Sequence, residues 1–194
     1  MVMNLFENQN LLPFEGELLY YPDFVSNDFF ETIKNETHWK QEGMKIYGKE
    51  VLFPRLTAWY AVEGKTYKYS GLVNIPVAFS DTLLILKKLI EQKTGHHFNS
   101  ALLNYYRNGN DSMGWHADDE PELGKNPVIA SLNLGAARKF QIKHKVQQNS
   151  TRSLLLESGS LLMMQGEMQD HWLHQIPKVK EVGERINITF RKIL

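Results

Sequence analysis

The segment "GWHADDEPELG" contains residue types that could bind a metal ion. His116 lies two positions before Asp118, and in an extended backbone residues two apart point to the same side. A third ligand would come from "DHWLHQIPK", which offers His171 and His174. Two histidines and one carboxylate with open positions are typical of non-heme Fe(II) oxygenases, and related sets bind zinc in hydrolases. The alternative without a functional role is a turn whose acidic side chains face water.

The segment "RINITFR" near the end of the chain alternates polar and apolar residues. In a strand, its polar residues share one face: Arg185, Asn187, Thr189 and Arg191. Two arginines in a sheltered position would need an anion, and the guanidinium fork suits a carboxylate. An antiparallel strand with its polar face in water explains the pattern equally well.

The segment "LLNYYRN" follows the same logic as "RINITFR". Asn104 and Tyr106 share one face of a strand, and both side chains can donate a hydrogen bond to an oxyanion. Because tyrosine is common in strands for packing reasons, this segment alone does not decide between binding and packing.

Two helices and a series of strands must position these residues. The segment "SNDFFETIKNETHW" predicts a short helix capped by Ser26 or Asn27. The segment "SDTLLILKKLIEQKTG" predicts a longer helix that ends at Gly95. Its apolar face would contain four residues: Leu83, Leu86, Leu89 and Ile90.

The second half of the chain is rich in short strand patterns separated by turn signals. Six segments are strand-like: "FNSALLNYY", "PVIASLNLG", "KFQIKHKV", "RSLLLE", "SLLMMQG" and "RINITFRKIL". Many short strands at this spacing indicate a sandwich, barrel or jelly roll.

Composition limits the classes of function. Lys plus Arg equals Asp plus Glu at 22 each, so binding to nucleic acid would have to rest on a local patch or on the site itself. The absence of cysteine excludes disulfides, thiolate ligands and a cysteine nucleophile. No signal-peptide pattern and no apolar run of membrane-spanning length is evident, which predicts a soluble cytoplasmic protein without a membrane partner.

Taken together, these segments resemble a known family. His-x-Asp, a distal histidine and an arginine-bearing strand follow one another in the order found in Fe(II)/2-oxoglutarate dioxygenases. Through "NYYRNGNDSMGWHADDEPELG", "PVIASLNLGAARKF", "GSLLMMQG", "HWLHQIPK" and "RINITFR", the chain resembles the AlkB-like dioxygenases, in the branch that repairs alkylated nucleic acids. "FPRLTAWY" and "TYKYSG" resemble the substrate-binding lid of that branch.

The resemblance implies the metal ligands and the co-substrate residues. It implies His116, Asp118 and His174 as the Fe(II) ligands and so as the catalytic centre. His174 and not His171 takes the ligand position, because His174 directly precedes "QIP". It implies that six residues hold 2-oxoglutarate: Asn104, Tyr106, Arg185, Asn187, Thr189 and Arg191.

The resemblance also implies residues that bind an alkylated base. Adenine methylated at N1 and cytosine methylated at N3 are cations, which aromatic faces and carboxylates stabilise. Tyr67 and Tyr69 match the lid aromatics and would stack on the flipped base. Asp119 and Glu120 could accept from its exocyclic amine, while a ligand-supporting role for Asp119 and a surface role for Glu120 are the alternatives.

Three residues occupy the position of a finger that fills the gap left by a flipped base in members acting on duplex DNA. These residues are Tyr47, Gly48 and Lys49. An inserted aromatic side chain could act as such a wedge. A loop tyrosine that packs on its neighbours is the other interpretation.

The implied fold is α+β and mainly β, with a double-stranded β-helix (jelly roll) core and an N-terminal α/β nucleotide-recognition lid. We expect the extension and lid in residues 1–95 and the core in residues 96–194, as one compact monomeric unit.

The implied reaction is oxidative demethylation of N-alkylated bases in alkylated DNA. It uses Fe(II), 2-oxoglutarate and O2 and releases formaldehyde, succinate and CO2. One alternative keeps the chemistry and acts on RNA or on a protein side chain. The other is a non-catalytic jelly-roll binding module.

Overall fold

The computed structural model describes residues 9–46, 49–62, 67–69, 72–74, 77–147 and 150–194. Its strands are β1 (Glu17–Tyr21), β2 (Gly43–Ile46), β3 (Lys49–Leu52), β4 (Leu56–Ala61), β5 (Tyr67–Tyr69), β6 (Leu72–Asn74), β7 (Ser100–Tyr106), β8 (Met113–His116), β9 (Ile129–Gly135), β10 (Arg138–His144), β11 (Arg152–Leu156), β12 (Leu161–Gln165), β13 (Trp172–Ile176) and β14 (Arg185–Arg191). Its helices are α1 (Phe29–Glu36), α2 (Asp81–Thr94) and α3 (Met168–His171), and a 3-10 turn spans Pro121–Leu123.

Most of the strands form two antiparallel sheets. The major sheet has the order β1-β12-β9-β14-β7-β4, and the minor sheet has the order β11-β10-β13-β8. β2 pairs with β3 and β5 pairs with β6 as separate two-stranded ribbons. The strand segments expected from the sequence all form strands, and the mainly β jelly-roll architecture is confirmed.

The major sheet has a different layer on each of its faces. One face packs on the minor sheet, because Leu18, Ile129 and Leu162 share an apolar cluster with Phe140 and Trp172. The other face packs on α1 and α2 through a second apolar cluster. Six of its buried members are Ile33, Leu83, Leu86, Ile90, Leu103 and Leu132. A single sheet therefore separates a helical core from an inter-sheet core.

Strand β14 lies in the middle of the major sheet, between β9 and β7, and is buried along its whole length. Ile186, Ile188 and Phe190 join the core on the helical side. The alternating polar residues consequently face the minor sheet and line the space between the sheets. The structure thus decides between the two interpretations of "RINITFR": its polar side points inward, not into water.

The helices form where the apolar spacing predicts, with two corrections. In α2, Ser80 accepts a hydrogen bond from the Leu83 backbone N–H, and Gly95 ends the helix in the left-handed conformation at φ 74°. Leu89 is 39% exposed and does not belong to the buried face. At α1 neither Ser26 nor Asn27 is the cap: Asp28 holds that position, and the Asn27 side chain instead accepts from Gly135 N–H.

The predicted division at residues 95 and 96 does not coincide with an edge of the sheets. β1 pairs with β12 and β4 pairs with β7, so two strands from residues 1–95 extend the major sheet. The division between lid and core stays a prediction. In the described ranges, no helix is long and apolar enough to cross a lipid bilayer.

Candidate active site

The edge of the minor sheet formed by β13 and β8 brings three metal-ligand side chains together. His116 ends β8 and His174 lies on β13, and the register of the two strands places these histidines directly opposite each other. Asp118 follows two residues after His116. One ligand atom from each of the three residues lies within 4.8 Å of the others. The family resemblance implied these three residues as one ligand set, and the structure brings their ligand atoms together.

The hydrogen bonding of His116 leaves one ring nitrogen available to a metal. Its Nδ1 lies 2.8 Å from the carbonyl oxygen of Gly114, so Nδ1 carries the proton and donates it. The lone pair on Nε2 is then available for coordination. A backbone carbonyl that fixes the tautomer in this way is the usual partner of a metal-binding histidine.

The surroundings favour the ligand-competent charge state of all three groups. Burial, together with the neighbouring His116 and Arg191, lowers the pKa of His174 to about 3, and Asp118 offsets only part of this shift. Burial also lowers the pKa of His116. Burial alone would raise the pKa of Asp118, but Arg191 and the two histidines outweigh it and bring the pKa to about 2. At neutral pH the site holds two neutral imidazoles and one carboxylate.

Two contacts hold Asp118 in place. Its Oδ1 accepts a hydrogen bond of 2.7 Å from Arg191, and both side chains are almost fully buried. Its backbone N–H donates to Oε1 of Gln169, which lies in α3 and is 1% exposed. Sequence reasoning missed Gln169, because nothing in a single glutamine signals that its side chain bonds to a distant loop.

A buried cationic pocket adjoins the three ligands. Its lining includes the six residues expected to hold 2-oxoglutarate: Asn104, Tyr106, Arg185, Asn187, Thr189 and Arg191. Arg185 is 1% exposed and uses one nitrogen to donate to Asn133 Oδ1 at 2.6 Å. Its Nε and its other terminal nitrogen make no hydrogen bond to any described residue. A buried guanidinium with unused donors is costly unless an anion binds it, so this pocket fits a carboxylate.

Two polar residues of β9 support the pocket and were missed in the sequence. Asn187 donates to Ser131 Oγ at 2.7 Å, and Asn133 Oδ1 accepts from Arg185. Ser131 and Asn133 are two apart in "IASLNLG", so the polar alternation that identified β14 was also present here.

Arg138 is a further buried arginine, close to Tyr106 at the pocket, and sequence reasoning missed it. It donates to three backbone carbonyls: those of Asn108, Asp111 and Pro177. The guanidinium groups of Arg138 and Arg185 lie 5.6 and 4.9 Å from the ring centre of Tyr106. Burial, together with the nearby Arg138, lowers the pKa of Arg185 to about 10.

A second, larger cavity opens beside His116. Its volume is about 390 Å³, and Glu120, Arg55 and Phe53 are among its lining residues. Asp119 is not: its carboxylate lies 3.7 Å from Lys145 Nζ and is largely exposed. Of the two acids expected to read a base, Glu120 therefore faces the cavity beside the ligands.

Of the remaining substrate residues, those within the described ranges belong to the strands β3 and β5. Tyr67 and Tyr69 are the end residues of β5, although their side chains are outside what the structure describes. Tyr47 and Gly48 lie outside the described residues, and Lys49 begins β3 with an exposed side chain. The finger and stacking roles stay predictions.

A second group of metal-capable side chains has a structural explanation. Glu15, His144 and His171 place ligand atoms within 4.8 Å of one another. However, His144 Nδ1 accepts backbone N–H bonds from Val146 and Gln147, so its proton is on Nε2, which donates to Glu15 at 2.6 Å. The nitrogen that a metal would need is thus already used to join Glu15 to β10.

Comparisons with known proteins agree with this geometry. Residues 17–191 match the model of the 2OG-Fe(II) oxygenase superfamily. The chain is 41% identical over 189 residues to alpha-ketoglutarate-dependent dioxygenase alkB homolog 3 of Bos taurus, covering 89% of this chain and 64% of that protein. It is 36% identical to the DNA oxidative demethylase ALKBH2 of Homo sapiens, covering 87% of this chain and 69% of that protein.

A solved structure supports the fold independently. The structure of OsALKBH1 aligns with a TM-score of 0.67 over 90% of this chain and 97% of that chain. At 17% identity it shows the fold alone. This chain spans just under two thirds of the length of the bovine and human alkB homolog 3 proteins. From the family match, the identity to two AlkB homologues and the His-Asp-His cluster beside a cationic pocket, the chain belongs to the AlkB-like group of the 2OG-Fe(II) oxygenase superfamily.

Proposed function

We propose that this protein is an Fe(II)/2-oxoglutarate-dependent dioxygenase that demethylates N-alkylated bases in DNA. The observation that carries the proposal is the shared location of three ligands and an arginine with unused donors. His116, Asp118 and His174 lie at one end of the buried pocket that Arg185 also lines. A binding module without chemistry has no need of such a buried cation beside a metal-ligand set.

The donor set fits Fe(II), with His116 Nε2, the Asp118 carboxylate and the His174 imidazole as its protein ligands. Two neutral nitrogens and one anionic oxygen leave positions for 2-oxoglutarate and O2. When bound, iron and 2-oxoglutarate would supply the oxidation of the N-methyl carbon, after which the hydroxymethyl group leaves as formaldehyde. Succinate and CO2 are the products of the co-substrate.

The pocket residues would bind and orient 2-oxoglutarate. Arg185 would pair with one carboxylate through its unused N–H groups, next to the ring of Tyr106. Asn104, Asn187 and Thr189 line the same space, and Arg191 adds a second cation that also holds Asp118. Because these side chains lie on the central strands β7 and β14, the protein would hold them in place before the ligand arrives.

The cavity beside His116 would take the base. Glu120 lines it and would accept a hydrogen bond from the exocyclic amine while offsetting the charge of 1-methyladenine or 3-methylcytosine. Asp119 would act from outside this cavity, near Lys145, so we assign it a weaker role. Tyr67 and Tyr69 would stack on the base, and Tyr47, Gly48 and Lys49 would form the finger that fills the gap left by the flipped base.

The names of the relatives support DNA as the substrate. The human and Arabidopsis thaliana ALKBH2 proteins, which are 36% and 34% identical to this chain, are named DNA oxidative demethylases. We further propose that the protein is a cytoplasmic monomer and that RNA carrying the same methylated bases is a second substrate.

A single assay tests the proposal. The protein is incubated in air with Fe(II), 2-oxoglutarate and an oligonucleotide carrying 1-methyladenine or 3-methylcytosine. We expect the unmodified base to appear together with formaldehyde and an equal amount of succinate. The matched controls are His174→Ala, which removes a ligand, and His171→Ala, which removes the neighbouring histidine outside the ligand set.

Each outcome has a distinct meaning. Turnover of 2-oxoglutarate without base repair would contradict the proposed substrate and leave the oxygenase class. Full activity in H174A would contradict the ligand assignment. An RNA oligonucleotide repaired faster than the matching DNA would replace DNA by RNA as the preferred substrate.

A further inference from the structure

Arg55 is a buried cation that connects the cavity beside His116 to the 2-oxoglutarate pocket. It lies one residue before β4 and is 3% exposed. Its guanidinium group packs on the ring of Phe53 at 4.9 Å and lines the larger cavity. Its Nε donates a hydrogen bond of 2.7 Å to Oδ1 of Asn104, which lines the cationic pocket. The contact therefore crosses the wall between the two spaces.

This hydrogen bond fixes which end of the Asn104 amide faces the pocket. A guanidinium group has only donors, so it can bind the amide oxygen and not the amide nitrogen. Once Oδ1 is held by Arg55, the amide NH2 is the group left for another partner. No hydrogen bond to a described residue uses that nitrogen, while the side chain lines the pocket.

The orientation matters because an amide has two ends of similar shape and opposite polarity. With NH2 toward the pocket, Asn104 can donate to a carboxylate. With the oxygen toward the pocket, it would repel the same carboxylate. The strand cannot make this choice, because the backbone of β7 is the same in both orientations. Arg55 can, because a guanidinium group has donors and no acceptor and so selects the amide oxygen.

We propose that Arg55 is a positioning residue for 2-oxoglutarate, acting through the amide of Asn104. The inference rests on the proposed co-substrate. It predicts that Arg55 contributes to the affinity for 2-oxoglutarate only while Asn104 is present. It also explains why an arginine lines a cavity proposed for a cationic base: its Nε–H is directed away from that base, toward the co-substrate side.

A double-mutant cycle tests this inference by binding, without turnover. The affinity for 2-oxoglutarate is measured by calorimetry under nitrogen, with Mn(II) in place of Fe(II). The variants are Arg55→Ala, Asn104→Ala and the double variant, with Arg152→Ala as the control because Arg152 is exposed. We expect R55A and N104A each to weaken binding about tenfold or more, and R152A to leave it unchanged.

The decisive comparison is between N104A and the double variant. If Arg55 acts through Asn104, removing it from N104A has no further effect on the affinity. Equal losses with and without Asn104 would overturn the inference, because Arg55 would then act by its charge or by direct contact. Unchanged binding in R55A would overturn it as well.

Two further measurements separate this result from misfolding and from the proposed function. Thermal unfolding checks that each variant is folded, and Arg55→Met, which keeps much of the side-chain volume but has no N–H donor, replaces R55A in the cycle if R55A is unfolded. Absence of 2-oxoglutarate binding by the unsubstituted protein would overturn both the inference and the co-substrate assignment. Binding without base repair would contradict only the proposed substrate.

Discussion

His174 and Asp118 show how burial and neighbouring charges set the state of a metal site before any metal binds. His174 is 4% exposed, and protonating it would place a second positive charge next to Arg191. Asp118 avoids the usual cost of a buried carboxylate because it pairs with Arg191. The ligands are thus held in the charge states that coordinate a metal ion. As a consequence, the folded protein should be less stable at acidic pH.

The metal-free protein should lose stability as the pH falls. The unfolded chain protonates His174 near pH 6.5, whereas the folded protein resists until about pH 3, so below about pH 6.5 protons favour the unfolded state. Between about pH 6.5 and about pH 5 we expect the free energy of unfolding to fall by about 2 kcal/mol. Urea unfolding at several pH values measures this loss.

The control for this pH dependence is the comparison of His174→Gln with His97→Gln. His97 has a highly exposed side chain, so H97Q should keep the loss of stability in acid, while H174Q should reduce it. An equally steep loss in H174Q would assign the effect to other groups.

Replacement by methionine should change the free energy of unfolding much less at Arg185 than at Arg138. Arg185 keeps unused donors, so R185M should change the free energy of unfolding by no more than about 1 kcal/mol in the absence of ligand. Arg138 donates to three carbonyls, and R138M should cost about 3 kcal/mol or more. Urea unfolding measures both values.

The same pair of variants also tests the anion pocket. With 2-oxoglutarate and Mn(II) added, the melting temperature should rise for the unsubstituted protein and stay constant for R185M. A ligand-induced rise of normal size in R185M would show that Arg185 does not bind the co-substrate.

The elements that hold these residues differ in how far the sequence predicts them. Alternation in β14 predicts correctly which residues share a face, because a strand has only two faces. It does not tell which face is inside; that depends on β14 lying between β9 and β7, a long-range arrangement. Arg55 and Gln169 support the site through contacts distant in the chain, so no local pattern marks them, whereas the polar alternation of β9 does mark Asn133.

Leu86 and Leu89 in α2 allow a direct test of the helical layer. The two leucines have the same spacing signal, but Leu86 is fully buried and Leu89 is 39% exposed. L86A should lower the free energy of unfolding by about 2 to 5 kcal/mol, and L89A by less than about 1 kcal/mol. Urea unfolding of both variants measures the difference, and similar losses would contradict the orientation of the helix.

For the molecule as a whole, a balanced charge makes nonspecific binding to nucleic acid weak. Lys plus Arg equals Asp plus Glu over the full chain. Recognition would then depend on the base in its cavity more than on the phosphates. This dependence is consistent with the proposed cationic target. Acids near the site would repel the phosphates of nucleic acid but would attract a methylated base that carries a positive charge.

The affinity for a methylated oligonucleotide should therefore depend weakly on salt. If about two phosphates are neutralised, raising the salt from about 50 to about 200 mM weakens binding by about tenfold. Fluorescence anisotropy with 2-oxoglutarate and Mn(II) measures this, using an unmodified oligonucleotide of the same sequence as the control. A loss of a thousandfold or more would indicate an extensive phosphate-binding surface instead.

The central place of β14 also has a consequence for how the protein folds. Its partners β7 and β9 both precede it in the chain, and in the described part of the major sheet β14 is the strand that pairs with both of them. A partly folded chain without β14 would have two separate halves of the major sheet and no co-substrate pocket. Since most contacts of β14 span long stretches of sequence, its insertion should be a slow step. 2-Oxoglutarate could then slow unfolding without speeding the early steps of folding, because its binding site exists only once the sheet is complete.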